Sequence, residues 1–202
     1  MSNAWKKRQH SDPYVKKARE EGYRARAAFK LLEIDAKDQI FHGVNRVVDL
    51  GAAPGSWCQV ARRRLSPRAR VIGLDLLEMD PIAGVDFIQG DFREDEALSK
   101  LENFLAGEKV DLVLSDMAPN LSGIAPSDQA RSIYLAELAL SFAGDWLDPR
   151  GFLVVKVFQG AGFDELLTEF RRSFKTVKVR KPDASRSESR EVYLVGCGWR
   201  KE

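Results

Sequence analysis

The sequence contains few of the residues that metal sites and disulfide frameworks require. Its 202 residues include two cysteines and two histidines, and Cys58 and Cys197 lie far apart without ligand-like spacing. We therefore expect a reduced protein with no metal. No apolar run reaches the length of a membrane span, and the N-terminus lacks the apolar stretch of a signal peptide. These absences predict a cytoplasmic protein with no membrane partner.

The sequence also lacks a strong net charge, but its charges are unevenly distributed. The total is +2, whereas residues 1–30 and residues 171–202 each carry +6 and residues 31–170 carry −10. Basic ends are typical of proteins that contact a polyanion, and solvated termini are the common alternative. Tyr14, Tyr23 and Phe29 interleave the N-terminal charges, which favours nucleic acid. The side chains expected to contact phosphate are Arg8, Lys16, Lys17, Arg24, Arg26, Lys178, Arg180, Lys181 and Arg186.

The length suits one domain, and 44% hydrophobic and 31% charged residues are typical of a globular protein. Residues 1–11 are expected to form a flexible basic arm. Residues 12–202 then form the domain, beginning with two helices within about 12–36, the first with Asp12 as its cap and Pro13 in its first turn.

From residue 46 the hydrophobic pattern alternates between strands and helices, which predicts an α/β fold with a mostly parallel sheet and helices on both faces. The predicted strands are 46–50, 70–75, 85–89, 110–115, 151–158, 176–181 and 190–197. The predicted helices among them are 57–65, 94–106, 128–146 and 163–173. The last two strands are joined by a loop too short for a crossover helix, so we expect them to pair antiparallel.

The segment from Arg46 to Trp57 predicts a strand, a tight turn and a helix start. Gly51 and Gly55 have no Cβ, so a ligand can lie against the turn. The turn lacks the spacing of a dinucleotide fingerprint and the lysine of a phosphate-binding loop, because Ala53 and Ser56 replace two glycines of the former. The pattern disfavours a nicotinamide dehydrogenase and suits a nucleoside without phosphates, such as S-adenosylmethionine. A purely structural turn is the alternative.

Four acidic residues lie at the carboxyl ends of successive predicted strands. They are Asp49, Asp75, Asp91 and Asp116. One such residue alone would be a cap or turn former, but four at one edge of a sheet indicate a ligand site. Asp75 is placed to bond ribose hydroxyls, and Asp91 is placed to accept the adenine amino group.

Lys156 interrupts a strand that is otherwise apolar on both faces. A buried ammonium is costly unless it is paired, so Lys156 is a candidate general base, with a lysine reaching out from the strand end as the alternative. Asp116 opens the motif Asp-Met-Ala-Pro-Asn, which has no aromatic residue that could stack on a nucleic-acid base flipped into the site. This favours transfer of a group to an oxygen atom rather than to a base nitrogen. Taken alone, Lys30 is interpreted as a solvated charge, and Glu191 either as a solvated charge at the strand edge or as a functional residue.

The ordered residues Lys30, Asp116, Lys156 and Glu191 resemble the K-D-K-E tetrad of ribose 2′-O-methyltransferases. The local motifs resemble the FtsJ/RrmJ (RlmE) family of heat-shock ribosomal RNA methyltransferases over nearly the whole chain from about Ser11. These motifs are Asp-Leu-Gly-Ala-Ala-Pro-Gly-Ser-Trp at 49–57, Ser-Asp-Met-Ala-Pro-Asn at 115–120, Val-Val-Lys-Val-Phe-Gln-Gly at 154–160 and Ser-Arg-Glu-Val-Tyr at 189–193.

The resemblance implies a Rossmann-like methyltransferase fold with an antiparallel last strand. It implies S-adenosylmethionine as donor and, as acceptor, a uridine 2′-hydroxyl in the A-loop of bacterial 23S rRNA on the large ribosomal subunit. Lys30 and Glu191 then become catalytic, beside Asp116 and Lys156. The cofactor residues expected are Asp49, Gly51, Pro54, Gly55, Ser56, Trp57, Asp75, Asp91 and Asp116.

The family usually has a second glycine where this chain has Ser56, which we expect to cap the following helix and leave cofactor binding intact. We also expect a monomer. A tRNA ribose methyltransferase and a non-catalytic ribosome-assembly factor that binds RNA remain open as alternatives.

Overall fold

The computed structural model describes residues 12–119 and 122–200. The predicted basic arm with Arg8, and Asn120 of the fourth-strand motif, lie outside the described residues. The helices within the described part are α1 (Pro13–Glu20), α2 (Ala27–Asp38), α3 (Ser56–Arg64), α4 (Asp95–Leu105), α5 (Ala125–Trp146) and α6 (Phe163–Ser173). The strands are β1 (Arg46–Leu50), β2 (Arg70–Asp75), β3 (Val85–Gln89), β4 (Val110–Ser115), β5 (Leu147–Phe158), β6 (Phe174–Arg180) and β7 (Glu191–Trp199).

The seven strands form one sheet in the order β3-β2-β1-β4-β5-β7-β6. Strands β1 to β5 pair in parallel, and β7 pairs antiparallel with both β5 and β6. The predicted fold class, a mostly parallel seven-stranded sheet with an antiparallel last strand, is confirmed. Chain order reverses between β1 and β4, and the loops that follow these strands diverge there to leave a crevice.

The sheet is covered on both faces, as expected. Alternate residues of each strand point to opposite sides, so Val154 packs in the cluster with α1, α2 and α3 while its neighbour Val155 packs in the cluster with α4, α5 and α6. Lys156 has the same parity as Val154. The site lysine therefore faces the N-terminal helices.

The first N-terminal helix begins where the cap pattern predicts it. The side chain of Asp12 accepts a 3.0 Å hydrogen bond from the backbone N–H of Tyr14, and Pro13 occupies the first helical position. Helix α2 ends at Gln39, which takes a left-handed conformation with φ of 52°. Both helices pack their apolar faces on α3 and the sheet, which fixes Lys30 over the end of β5 and β7.

Two predicted boundaries are wrong. Strand β5 begins at Leu147 rather than 151, because Leu147 already pairs with Val110 and a bulge follows before Leu112 pairs with Phe152. Helix α5 begins at Ala125 rather than 128. Asp128 therefore lies inside the helix. Its carboxylate accepts hydrogen bonds from the backbone N–H groups of Ser122 and Gly123, which fixes the preceding loop.

Candidate active site

The glycine turn and the β4 loop enclose a cavity of about 660 Å³ at the carboxyl edge of the sheet. Gly51 has a φ of 78°, and a Cβ there would lie 2.8 Å from Cγ of Met117. Only glycine therefore allows the turn to approach the β4 loop this closely. The lining residues include Gly51, Asp75, Asp91, Asp116, Met117 and Tyr134.

Asp75 lies at the end of β2 and lines the cavity. Its Oδ2 accepts a 2.9 Å bond from the backbone N–H of Ala53, and its Oδ1 accepts a 2.8 Å bond from the N–H of Leu77. Each carboxylate oxygen has a further lone pair, so the side chain can also accept bonds from a ribose. Asp75 thus fixes the glycine turn and faces the space that the turn creates.

Asp91 also lines the cavity, where it is paired with a residue that the sequence did not single out. Arg93 donates from Nη2 to Oδ2 of Asp91 at 2.5 Å and from Nε to Oδ1 at 2.9 Å. These hydrogen bonds hold the pKa of Asp91 below its usual value. The carboxylate is therefore charged and oriented, and acceptance of an adenine amino group by Asp91 remains a prediction.

Asp49 is fully buried beneath the turn and does not line the cavity. Its Oδ2 accepts a bond from the thiol of Cys58 at 3.1 Å, while its Oδ1 is buried without a hydrogen-bond partner. Burial raises its pKa to about 7, and the nearby carboxylates of Asp116 and Asp75 add to the rise. A direct cofactor contact for Asp49 remains a prediction, since the structure places it one layer behind the cavity wall.

The rest of the predicted cofactor turn lies outside the cavity lining. Trp57 is buried, donates from Nε1 to the carbonyl of Ala27 at 2.8 Å, and packs 5.7 Å from the ring of Tyr193. The expected cap by Ser56 is wrong, because Gly55 with a φ of 105° is the N-cap and Ser56 is the first helical residue. Cofactor contacts by Pro54, Gly55, Ser56 and Trp57 stay predictions.

Lys156 and Asp116 form an ion pair at the edge of the cavity. Nζ of Lys156 lies 3.0 Å from Oδ1 of Asp116 and donates to its backbone carbonyl at 2.5 Å. The Lys156 side chain is only 9% exposed. The alternative interpretation of a lysine reaching out into solvent is therefore wrong, and the ammonium points to the cavity wall that Asp116 forms.

Lys30 and Glu191 form a second ion pair, with Nζ of Lys30 2.5 Å from Oε1 of Glu191 and both side chains 13% exposed. The local interpretation of these residues as solvated charges is wrong. Burial alone would raise the pKa of Glu191, but the charge and hydrogen bond of Lys30, with help from Ser185 and Lys156, hold it below the usual value. Glu191 therefore carries a charge near neutral pH.

Tyr193 connects the two ion pairs and was not predicted as a site residue. It faces Lys156 across β5 and β7, donates from its hydroxyl to Oδ1 of Asp116 at 2.9 Å, and lies with its ring 5.9 Å from Nζ of Lys30. Burial, with the charge of Asp116 next in size, raises its pKa well above the usual value, so it stays a donor. Its position two residues after Glu191 was the available signal, because both then share one face of β7.

The predicted phosphate contacts differ in exposure and in their partners within the protein. Lys16, Lys17, Lys178, Lys181 and Arg186 are exposed, and Nζ of Lys17 lies 3.8 Å from Oε1 of Glu21. Arg24 donates to the carbonyls of Pro54, Asp80 and Pro81. The other bound side chains are Arg26, which pairs with Asp12, Lys178 and Arg180, which pair with Asp38, and Lys181, which donates to two carbonyls. Phosphate binding remains a prediction for the whole set, and the exposed group fits it best.

Within residues 12–119 and 122–200, no helix is both long and apolar enough to cross a membrane. Within the same residues, no group of three His, Cys, Asp or Glu side chains is arranged to hold a metal ion.

The sequence of this chain matches a known protein family. The family described as FtsJ-like methyltransferase matches residues 23–199. A protein named ribosomal RNA large subunit methyltransferase E from Methylobacillus flagellatus is 59% identical over 96% of this chain and 94% of its own. A protein of the same name from Azoarcus sp. is 59% identical over 98% of this chain and 97% of its own.

A solved structure agrees. A Plasmodium falciparum protein, provisionally described as a ribosomal RNA methyltransferase, superposes with a TM-score of 0.79 at 34% identity, over 88% of this chain and 98% of its own. The matched span includes the glycine turn, the cavity and both ion pairs. The chain therefore belongs to the FtsJ-like methyltransferase family.

Proposed function

We propose that the protein transfers a methyl group from S-adenosylmethionine to the 2′-hydroxyl of a uridine in the A-loop of bacterial large-subunit rRNA, acting as a monomer on the large ribosomal subunit. The observation that carries the proposal is the meeting of the Lys156–Asp116 and Lys30–Glu191 pairs beside the cavity. The names of the relatives that cover nearly the whole chain support rRNA as the acceptor.

The cavity fits the proposed cofactor in size and in donor set. Its volume lies within the range of about 300–1,000 Å³ typical of small-molecule sites. A Cβ at Gly51 would collide with Met117, so the glycine keeps the turn close to the ligand space. Asp75 offers two carboxylate lone pairs to a ribose, and the exposed side chains of Leu76 and Leu77 offer an apolar rim to an adenine.

Bound S-adenosylmethionine supplies a methyl group on a sulfonium, which is a good leaving system. The work of the protein is then to orient the ribose and remove its proton. Nζ of Lys156, in its neutral form, takes the 2′-hydroxyl proton as the oxygen–methyl bond forms and the sulfur–methyl bond breaks. Asp116 fixes Nζ through two bonds, and the Tyr193 hydroxyl fixes Asp116.

Lys30 adds a second positive charge on the same face of the sheet, and Glu191 partly neutralises it. The two ion pairs therefore have different tasks in the proposal. Asp116 orients the base, and the Lys30–Glu191 pair sets the charge beside it.

Methyl transfer from labelled S-adenosylmethionine tests the proposal. The acceptors are large ribosomal subunits lacking the modification, free large-subunit rRNA and bulk tRNA, with digestion to nucleosides to locate the label. The expected product is 2′-O-methyluridine in the A-loop, formed fastest on subunits. Label on tRNA instead would contradict the rRNA assignment, and absence of label on every acceptor despite cofactor binding would favour the assembly-factor alternative.

A further inference from the structure

Helix α2 carries two charged side chains, three residues apart and so on one face, that reach into the same region. Lys30 pairs with Glu191 at 2.5 Å. Glu33 has a different target, because its carboxylate accepts hydrogen bonds from the backbone N–H groups of Asp183 and Ala184 at 2.5 and 3.0 Å. One helix therefore holds both an ion-pair partner of Glu191 and the loop that leads to Glu191.

The loop over residues 181–190, which joins β6 to β7, is anchored rather than simply solvated. Arg26 donates from Nη2 to the carbonyl of Ala184 at 2.5 Å, beside the bonds that Glu33 accepts. Ala184 and Ser185 are buried, and the N–H of Ser185 closes a turn onto the carbonyl of Pro182 at 2.9 Å. These bonds fix the direction in which Ser185 points.

Ser185 points at the catalytic carboxylate. Its hydroxyl donates to Oε1 of Glu191 at 2.7 Å, and Oε1 is also the oxygen that Lys30 approaches. A carboxylate held on one oxygen by a hydroxyl and an ammonium has little freedom to rotate. Without the hydroxyl, Glu191 can turn toward Lys156, whose charge already attracts it.

We propose that Glu33 and Ser185 are positioning residues for the reaction proposed above, on which this inference rests. Glu33 fixes the 181–190 loop on α2, and Ser185 uses that fixed loop to hold Glu191 on Lys30 and away from Lys156. Neither residue lines the cavity. Their effect on catalysis passes through the orientation of one carboxylate.

The test compares variants of the full chain on large subunits lacking the modification. Ser185→Ala should lower kcat about ten- to a hundredfold, because a hydrogen bond to a charged group is lost. The KM and affinity for S-adenosylmethionine should stay unchanged, since the cavity is untouched. Ser185→Thr, which keeps the hydroxyl, should recover most of kcat. Ser185→Val, which has the shape of threonine but no hydroxyl, should not. Ser187→Ala, an exposed serine in the same loop, is the control and should match wild type.

Glu33→Ala should lower kcat in the same way, and the double variant Glu33→Ala/Ser185→Ala should lose little more than the worse single variant, because both act on one carboxylate. Wild-type kcat in Ser185→Ala, equal kcat in the Thr and Val variants, or fully additive losses would each overturn the positioning role while leaving the proposed function in place. A wild-type protein without methyl transfer to any RNA would instead overturn the proposed function, and the positioning role with it.

Discussion

Lys156 and Tyr193 approach the same atom, Oδ1 of Asp116, at 3.0 and 2.9 Å. They face each other across the antiparallel pair β5 and β7, so a short β4 loop and two strands hold the three side chains together. The antiparallel β7 explains why this is possible. It inserts beside β5 and brings Tyr193 and Glu191 to the end of the strand that carries Lys156.

Tyr193→Phe should lower kcat about tenfold with little change in KM, because it removes one donor from Asp116 and leaves the ring in the core. Single-turnover methyl transfer with saturating cofactor measures the effect. Tyr23→Phe, which removes a phenol hydroxyl in the segment between α1 and α2, should keep wild-type rates. Equal rates for Tyr193→Phe and wild type would show that Asp116 needs no help from the hydroxyl.

Asp75→Asn should weaken S-adenosylmethionine binding about ten- to a hundredfold, because the carboxylate that faces the ribose region becomes neutral and keeps one acceptor oxygen. Calorimetric titration measures the affinity, and kcat at saturating cofactor should change far less. Asp86→Asn, an exposed position on the neighbouring β3, should bind as wild type does. Unchanged affinity in Asp75→Asn would contradict its place in the cofactor site.

The buried carboxyl group of Asp49 should make the free energy of unfolding depend on pH. Its pKa of about 7 exceeds the usual value in an unfolded chain, so the folded protein binds the extra proton and loses stability as pH rises from about 4 to 7. Asp49→Asn removes this titration and should gain on wild type, by on the order of 3 kcal/mol, between pH 5 and pH 8. Urea unfolding at both pH values gives the difference. A constant difference between variant and wild type at the two pH values would contradict the raised pKa.

The affinity for rRNA should fall steeply with salt, because bound phosphates release counterions. Arg186→Ala should reduce the slope of log affinity against log salt by about 1. Arg150→Ala is the matched control and should leave the slope unchanged. Arg150 is an exposed arginine near the start of β5, at the end of that strand opposite to the candidate active site. Filter binding over a range of salt measures both. A flat salt response in the wild type would contradict a nucleic-acid surface.

The sheet and the position of Lys156 could be predicted because they depend on local signals. Alternating apolar periods define the strands, and a lysine inside an apolar strand is costly unless it is paired. The pairing of Lys30 with Glu191 gave no such signal, because each is an ordinary charge on its own element and they meet only through the packing of α2 on the sheet. Resemblance to a family, rather than local chemistry, identified them.

The structural roles of polar side chains were the hardest to predict. Arg24 was expected to bind phosphate, yet its guanidinium joins the glycine turn to the loop after β2 through three backbone carbonyls. Glu33 lies far from Ser185 in sequence, yet it accepts a bond from Ala184 in the loop that carries Ser185, and Ser185 donates to Glu191. The sequence gives the number of charged and polar residues, but the fold determines whether each side chain faces solvent or bonds to the protein itself.

Lys156→Ala tests whether Lys156 is the base of the 2′-O-methyl transfer. Its single-turnover rate on large subunits lacking the modification is compared with wild type and with Lys100→Ala, an exposed lysine on the opposite face. Removing the base should lower the rate by a factor on the order of 10³, while S-adenosylmethionine affinity stays near wild type because Nζ bonds Asp116 and Lys156 does not itself line the cavity. A wild-type rate in Lys156→Ala would contradict the role of Lys156 as the base.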